Sequence, residues 1–291
     1  MTGWCNQDLW YHSLAIGRVS GLYRHAVKGL SADSLEQVQL ETAGSFPDDR
    51  RFALIKQESA SKFDARDPIW IHKENFLCAF TDPHLMARYR ASYSTIPTIH
   101  QSDSEGILTL WERSSNKQVL GPLDLSTEEG RQALADFFSR QAGIPLVCVT
   151  AENHQFGNTG AGWKQKGDTR TIHIVHESTV RALQEAIGKS DLTLNPTRFR
   201  PNIVLRGDAL PFSEFDWVGK SLQCGSSLRL QVISKSVRCQ GINVDPLDLH
   251  ATADIPELLT RHFPNHGPYL GVYACVESGG VLSMGDELSL L

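Results

Sequence analysis

The stretch SVRCQGINVDP, residues Ser236–Pro246, ends an apolar alternating run and carries a cysteine directly after an arginine. The alternation of Leu228, Leu230 and Val232 predicts a strand, which places Cys239 just beyond the end of that strand, in a loop held by a sheet. A neighbouring arginine lowers the pKa of a thiol toward the reactive thiolate, and a thiolate is a ligand that soft transition metals prefer. A single cysteine is also often a small buried hydrophobe, so the assignment depends on the rest of the chain.

Composition excludes several classes of protein. The chain has 291 residues, of which 28 are basic and 33 acidic, and its net charge is −5. This length favours two domains of moderate size. No basic block is present that would follow a phosphate backbone, so we expect no nucleic acid partner. The six cysteines form no C-x-x-C pair, which argues against a zinc site and a disulfide framework and favours a reducing compartment.

The sequence further predicts a cytoplasmic protein with no membrane partner. No apolar run approaches the roughly 20 residues that are needed to cross a bilayer. The segment Met1–Tyr11 lacks the basic start and apolar middle of a signal peptide. Residues 1–13 show no clear period and are interpreted as an N-terminal tail.

Short apolar and β-branched runs dominate the pattern and predict strands. The runs include Val19–Tyr23, Phe52–Ile55, Ile69–Ile71, Phe76–Phe80, Leu108–Trp111, Ile144–Val149, Thr171–Val175, Phe215–Trp217 and Leu228–Ile233. A closing hairpin is predicted from Tyr269–Val276 and Val281–Leu291, with its turn at Gly279–Gly280. The predicted fold class is therefore mostly β with α embellishments (α+β), as a barrel or sandwich and not a wound parallel sheet.

Three helices interrupt the strands. The S-x-x-E pattern of Ser126–Glu129 predicts a capping box, and Gly143 is the expected end of that helix. A second, amphipathic helix is expected to end at Gly188. The third is expected to begin at Asp254, with Pro256 in its first turn.

A polar, glycine-rich loop, Glu152–Gly167, indicates a domain boundary or a mobile lid. It divides the chain into domains at residues 14–151 and 152–291. Neither G-x-x-x-x-G-K nor G-x-G-x-x-G fits a strand-to-helix junction here, so the loop is interpreted as a linker and not as a nucleotide site.

Several cationic residues stand at predicted strand ends. Lys28 lies at a turn beside a glycine, and Arg50 follows two aspartates at the start of a strand. Arg198, Arg200 and Asn202 precede another buried strand. Taken alone, Lys28 fits a solvated lysine, and Arg50 fits a surface ion pair that contributes little to stability. Their common position at strand ends indicates a shared site.

Six pieces of the sequence, in this order along the chain, resemble the MOSC family, the domain named for the C-terminal part of molybdenum cofactor sulfurase. The pieces are Leu22–Gly29, Asp49–Phe52, Phe199–Val204, Arg238–Cys239 with Val244–Pro246, Gly271–Tyr273 and Gly285–Asp286. The first two resemble the associated N-terminal β-barrel domain. The resemblance implies an N-terminal β-barrel-like domain at 14–151 and a MOSC β-barrel domain at 152–291. It also implies a relationship of the whole protein to the mitochondrial amidoxime-reducing component.

The resemblance also implies a molybdenum-pterin cofactor with Cys239 as the protein ligand of the metal. Further positions fall on motifs that gather around the pterin and its phosphate in the related mitochondrial proteins. These positions are Lys28, Arg50 and Arg200, with Asn202 and Tyr273 on neighbouring motif positions and Thr169 as a weaker match. Arginine suits this task because its planar fork matches phosphate oxygens better than the point charge of lysine.

The activity implied is that of an oxidoreductase in which the cofactor performs the difficult step. An N-hydroxylated small molecule, such as an amidoxime or a hydroxylamine, takes up two electrons and two protons and yields the amine and water. Arg238 is expected to favour the thiolate of Cys239, or alternatively only to pair with Asp245. The chain has no ferredoxin-like extension with clustered cysteines, so electrons are expected from a separate ferredoxin- or cytochrome-like donor protein.

Three other functions remain open on the sequence alone. Cys239 could carry sulfur as a persulfide, or the domain could deliver the cofactor without turnover, since a thiol of low pKa serves a sulfur carrier equally well. Pyridoxal phosphate bound to Lys28 as a Schiff base is a weaker alternative, because no paired aspartate or phosphate loop accompanies it. A cysteine hydrolase would need His250, His262 or His266 to approach Cys239 in space.

Overall fold

The computed structural model describes residues 14–96, 105–157, 170–188 and 192–291. The strands within these ranges are β1 Leu14–Arg24, β2 Asp33–Ser34, β3 Gln37–Leu40, β4 Phe52–Lys56, β5 Phe76–Leu77, β6 Tyr89–Ile96, β7 Glu105–Glu112, β8 Lys117–Asp124, β9 Leu146–Thr150, β10 Ile172–His176, β11 Ile203–Arg206, β12 Ser221–Cys224, β13 Leu228–Val237, β14 Tyr269–Ser278, β15 Gly280–Ser283 and β16 Glu287–Leu290. The α-helices are α1 Pro83–Arg88, α2 Glu128–Ala142, α3 Glu177–Ile187 and α4 Ile255–His262. The predicted class, mostly β with α embellishments, is confirmed.

A closed barrel forms the larger of two β structures. Its strands follow the order β11-β10-β14-β13-β12-β16-β1, and β1 pairs in turn with β11, which closes the ring. Only the β10–β11 pair is parallel among these pairings. The side chains inside come from alternate strand positions, as in the burial of Leu228, Leu230 and Val232 along β13. Closure leaves the ring no free strand edge.

The second β structure lies in the N-terminal half of the chain. It consists of a three-stranded sheet in the order β5-β4-β9 and an antiparallel meander, β6-β7-β8. Helix α2 packs against them, and its Leu134 and Phe138 join Phe52 and Leu110 in a buried cluster. This apolar cluster is separate from that of the barrel.

Residues 14–40 connect the two structures. Strand β1 lies in the barrel between β11 and β16, and β3 pairs with β15 near the C-terminus. After β1, residues 25–28 run beside the start of β4, where the amide of Lys28 donates to the carbonyl of Phe52 over 2.8 Å. The chain therefore carries residues from the rim of the barrel directly into the N-terminal sheet.

The predicted helix ends agree with the structure, with one correction. Gly143 and Gly188 adopt left-handed conformations directly after α2 and α3, as a C-terminal glycine does. Asp254 caps α4. The predicted capping box at Ser126 is wrong by one residue, because the hydroxyl of Thr127 accepts from the amide of Gly130 and caps α2. No helix among the described residues is both long and apolar enough to cross a membrane.

Several strand predictions were wrong. Phe215–Trp217 belongs to a 3-10 helix, Ser213–Trp217, and Ile69–Ile71 forms no strand. The closing hairpin is wrong, because β14 pairs with β13 and β10, whereas β15 pairs with β3 and β16 pairs with β1 and β12. A short apolar run does not identify a strand, because periodicity alone does not separate a strand from another buried segment such as Phe215–Trp217, and Ile69 is not buried but 57% exposed.

The 3-10 helix Ser213–Trp217 carries the buried carboxyl group of Glu214. We predict that this group makes the free energy of unfolding depend on pH. One oxygen of Glu214 accepts from the Thr179 hydroxyl over 2.8 Å, and the other has no partner. Burial raises the pKa of Glu214 from 4.5 to about 7. Between these values the unfolded chain releases a proton that the folded protein keeps, so the free energy of unfolding falls as pH rises, by about 3 kcal/mol in total.

Urea unfolding at several pH values tests this prediction. Glu214→Gln should lose this part of the pH dependence, and the exposed control Glu36→Gln should behave as the wild type. An unchanged pH profile in Glu214→Gln would contradict the assignment.

Candidate functional site: a cationic cleft around Cys239

A cleft opens where the barrel rim meets the N-terminal β structure. Its empty volume is about 620 Å³, including the open mouth. The lining residues come from both halves of the chain: Lys28, Gly29, Arg50, Lys73, Cys78, Ala79, Phe80, His173, Phe199, Arg200, Val237, Arg238, Cys239, Gly241, Ile242 and Tyr273. The structure thus brings together Cys239, Arg238, Lys28, Arg50, Arg200 and Tyr273, six of the residues singled out in the sequence.

Cys239 lies just beyond the end of β13, as the alternation of that strand predicts. It is a free, partly exposed thiol at the start of a 3-10 turn, Gln240–Ile242. The register of β13 shifts between Lys235 and Val237, and the amide of Arg238 donates to the carbonyl of Pro268 over 2.7 Å. Such irregularities beside a site redirect side chains out of the ladder.

Arg238 is buried beside Cys239 and is held by neutral groups. Its guanidinium donates to the Ser236 hydroxyl over 2.7 Å and to the Phe199 carbonyl over 2.8 Å. The alternative that it pairs only with Asp245 is wrong, because that carboxylate binds Arg198 at 3.1 Å. Burial lowers the pKa of Arg238.

Lys28 is 8% exposed, and its ammonium donates to the carbonyls of Phe156 and Gly157 over 3.0 and 3.3 Å. Burial, together with the charges of Arg50 and Arg200, lowers the pKa of Lys28 to about 8. Carbonyl dipoles solvate the ammonium but supply no opposite charge. The residue is therefore a buried cation that an anion would stabilise.

Arg50 and Arg200 share an unusual backbone conformation. Their φ angles are 51° and 55°, in the left-handed region, where non-glycine residues are uncommon. Arg50 donates to its neighbour Asp49 and to the carbonyl of Arg200 at 3.0 Å, and Arg200 donates to the carbonyl of Gly29 at 3.2 Å. Residues held in this way cost of order 1–3 kcal/mol each and cluster at functional sites.

The charge of the cleft is strongly unbalanced. Five of its lining side chains are cationic, those of Lys28, Arg50, Lys73, Arg200 and Arg238, and none of the described lining residues is acidic. The buried Asp49 beneath Arg50 is a counter-ion for one of them. Burial and the charge of Arg50 lower the pKa of Arg200 to about 9, and one of its terminal nitrogens has no hydrogen-bond partner. The arrangement is that of a site built for an anion.

These residues fit a molybdenum-pterin group. The described residues contain no cluster of three or more histidine, cysteine, aspartate or glutamate side chains that could hold a bare metal ion. A metal bound at Cys239 would therefore have to bring other ligands with it. An anionic pterin dithiolene with a phosphate does so, and the unpaired donors of Arg200 and Arg238 match its charge.

Sulfate should stabilise the cofactor-free protein more strongly at pH 7 than at pH 9.5. Lys28 loses its proton near pH 8, so the cleft becomes less cationic across this range, while the charge of sulfate stays constant. We expect the sulfate-induced rise in Tm to shrink by about 2–4 °C, equivalent to roughly 1 kcal/mol. Lys28→Met should weaken this pH dependence and leave only the part that comes from Arg200, whose pKa is about 9, and the exposed control Lys117→Met should keep all of it. An equal rise at both pH values in the wild type would contradict the account.

One of the predicted cofactor-binding residues is placed differently, and another lies outside the described residues. Asn202 is fully buried and does not line the cleft; its amide group binds the backbones of His173 and Tyr23. It therefore orders the strands beneath the site. Thr169 lies outside the described residues, as does most of the glycine-rich loop. Tyr273 lines the cleft, with its ring centroid 5.1 Å from that of His173.

The sequence analysis missed three residues of the cleft. His173 is hidden in the buried strand β10, Cys78 lies in Phe76–Phe80, which was predicted only as a strand, and Lys73 lies between two predicted strands. The ammonium of Lys73 lies 3.6 Å from the centroid of the Phe80 ring. A polar residue inside an apolar run was the available signal for His173.

Comparisons with known proteins agree with this arrangement. The family model of the MOSC domain matches residues 161–289, and that of the MOSC N-terminal beta barrel domain matches residues 16–141. No curated protein matches the chain. One solved structure that matches is the YUAD protein of Bacillus subtilis (APC1665), with 10% identity, a TM-score of 0.38 and 94% of each chain covered. That likeness is too weak to support a conclusion. On the two domain matches, which together span most of its length, the chain belongs to the MOSC family.

Proposed function

We propose that the protein binds a molybdenum-pterin cofactor in the cationic cleft and reduces N-hydroxylated compounds such as amidoximes and hydroxylamines. One observation carries the proposal: a free thiol and five cationic side chains, without a carboxylate among the described lining residues, open into one cleft. Membership of a molybdenum-cofactor-related family supports it. The relationship to the mitochondrial amidoxime-reducing component is part of the proposal.

The residues have distinct parts in holding such a cofactor. Cys239 would supply the thiolate ligand of the metal, and Lys28, Arg50 and Arg200 would bind the anionic pterin dithiolene and phosphate. The bound group would supply two-electron redox chemistry and accept an oxygen atom from the substrate. The protein's contribution is binding, orientation and a fixed electrostatic field.

Arg238 and Tyr273 line the same cleft. Arg238 directly precedes Cys239 in the sequence, and Tyr273 lies opposite His173 on the neighbouring strand. The partners of Arg238 are neutral and leave its charge uncompensated, so it favours negative charge beside Cys239. Tyr273 offers a hydroxyl that can donate a hydrogen bond to an oxygen of the substrate. The overall reaction balances as R–NHOH + 2e⁻ + 2H⁺ → R–NH₂ + H₂O, with electrons from a separate ferredoxin- or cytochrome-like protein.

A reductase assay tests the function. Protein from a molybdate-fed host is supplied with a reduced viologen dye as electron donor and with an aryl amidoxime or an aryl hydroxylamine. We expect amine formation with water as the second product, and none with protein from a host that cannot make the pterin. Molybdenum-loaded protein that reduces neither substrate would overturn the proposal.

The same preparations separate the alternatives. A sulfur carrier would purify with labile sulfur on Cys239 and without metal. Pyridoxal phosphate on Lys28 would give a Schiff-base absorbance, although the ammonium of Lys28 already donates to two backbone carbonyls. The cytoplasmic location expected from the cysteine pattern stays a prediction.

A further inference from the structure

His173, on β10, is the only histidine among the described residues that line the cleft. It is 2% exposed, and its ring lies between two arginines. Its Nδ1 is 3.3 Å from the backbone carbonyl oxygen of Arg200, and its Nε2 is 3.4 Å from Nη1 of Arg238. Neither the motifs of the sequence nor the family resemblance gives this residue a role.

The chemistry of its partners fixes the position of the proton. A carbonyl oxygen only accepts hydrogen bonds, and a guanidinium only donates them. Nδ1 of His173 must therefore carry the proton that the carbonyl of Arg200 accepts. Nε2 then offers its lone pair to Arg238. These two contacts favour the neutral tautomer with the proton on Nδ1, although the carbonyl of Leu270 is a further acceptor beside the ring.

This neutral acceptor completes the support of Arg238. The other partners of its guanidinium are the Ser236 hydroxyl at 2.7 Å and the Phe199 carbonyl at 2.8 Å. None of these three partners, the His173 ring included, compensates the positive charge of Arg238. A carboxylate at position 173 would orient Arg238 equally well but would cancel its charge, and a protonated ring would repel it.

The backbone around His173 is built to hold the ring in place. The amide of His173 donates to Oδ1 of Asn202 over 3.0 Å, and its carbonyl accepts from the amide of Asn202 over 2.8 Å. On the neighbouring strand, Gly271 has a φ of +77°, and a Cβ there would lie 2.8 Å from Nε2 of His173. Asn202 therefore acts on the cleft through His173, and Gly271 leaves the space that the ring needs.

We propose that His173 is a positioning residue, whose neutral, Nδ1-protonated ring holds the Arg238 guanidinium with its charge uncompensated against the anion bound beside Cys239. The inference deepens the proposed function and rests on it for the identity of that anion. The position of the proton and the ordering of Arg238 do not depend on the cofactor.

The first test needs no cofactor. Nitrogen-15 NMR of the purified full-length protein should show Nδ1 of His173 protonated and Nε2 unprotonated. It should also show side-chain N–H signals of Arg238 that exchange slowly with water. His173→Gln keeps an acceptor for Arg238 and should retain those signals, whereas His173→Leu should lose them. A proton on Nε2, or unchanged Arg238 signals in His173→Leu, would overturn the inference.

The second test measures cofactor retention by pterin fluorescence after oxidation, following dialysis. Supporting groups of metal sites change affinity by about 10- to 100-fold when removed, so His173→Leu should lose pterin faster by a factor in that range. His173→Gln should stay close to the wild type. Equal retention in His173→Leu and the wild type would overturn the inference. Wild-type protein without any pterin would instead overturn the proposed function, and the NMR result alone would then decide the role of His173.

Discussion

Cys239→Ser is expected to reduce molybdenum-dependent reductase activity by more than about 100-fold, because even the supporting groups of a metal site change activity 10- to 100-fold. The serine hydroxyl keeps the size of the side chain but stays protonated near neutral pH, so the metal loses its thiolate ligand. The assay uses reduced viologen as donor, so that no partner protein enters the comparison.

Cys275→Ser is the matched control. Cys275, on β14, is also partly exposed, but its thiol contacts the carbonyl of Arg170 and does not line the cleft. The control variant should retain wild-type activity. If Cys239→Ser retained metal-dependent activity, Cys239 would not be the ligand, whatever the control did.

Arg198→Met is expected to lower the free energy of unfolding by about 3–5 kcal/mol, as is typical when one partner of a buried ion pair is removed. The side chain of Arg198 is fully buried and pairs with Asp245 at 3.1 Å. It also donates to the carbonyls of Ile242, Asn243 and Ala251, within the loop that follows Cys239. The substitution removes the counter-ion of a buried carboxylate and one hydrogen-bond donor from each of three carbonyls.

Urea unfolding measures the effect. Arg261→Met is the control, because Arg261 forms an exposed pair with Glu257 on α4 and its loss should cost less than about 1 kcal/mol. A similarly small effect in Arg198→Met would show that the loop after Cys239 is held by other contacts. Cofactor content should fall in Arg198→Met as well, since the same loop carries Gly241 and Ile242 of the cleft.

Local patterns in the sequence predicted the parts of the fold that local physics decides. The alternation of β13 placed Cys239 at a strand end, and Gly143 and Gly188 ended their helices where a left-handed residue is required. The closing hairpin failed because β15 and β16 pair with β3, β1 and β12, and such distant pairing leaves no mark on the local pattern.

Positions at strand ends predicted a shared site that includes Cys239 and several cations, and the resemblance added the cofactor and Tyr273. Arg198 and Arg200 stand two positions apart, yet the first is a buried structural anchor and the second lines the cleft. Arg200 ends a 3-10 turn in the left-handed conformation, and this turns its side chain away from that of Arg198. The pattern of residue types in the sequence does not predict such a backbone conformation. His173 could not be identified because β10 is buried along its whole length. Its sequence therefore lacks the alternation of polar and apolar residues that would show which side chains face the cleft.

The central claim, that the cationic cleft holds a molybdenum-pterin cofactor through Cys239, is tested most directly by measuring molybdenum and pterin in the purified protein. Wild type and Cys239→Ala are produced in a molybdate-fed host and compared by elemental analysis and by pterin fluorescence after oxidation. The account predicts near-stoichiometric metal and pterin in the wild type and a large loss of metal in Cys239→Ala. Wild-type protein with neither metal nor pterin would contradict it.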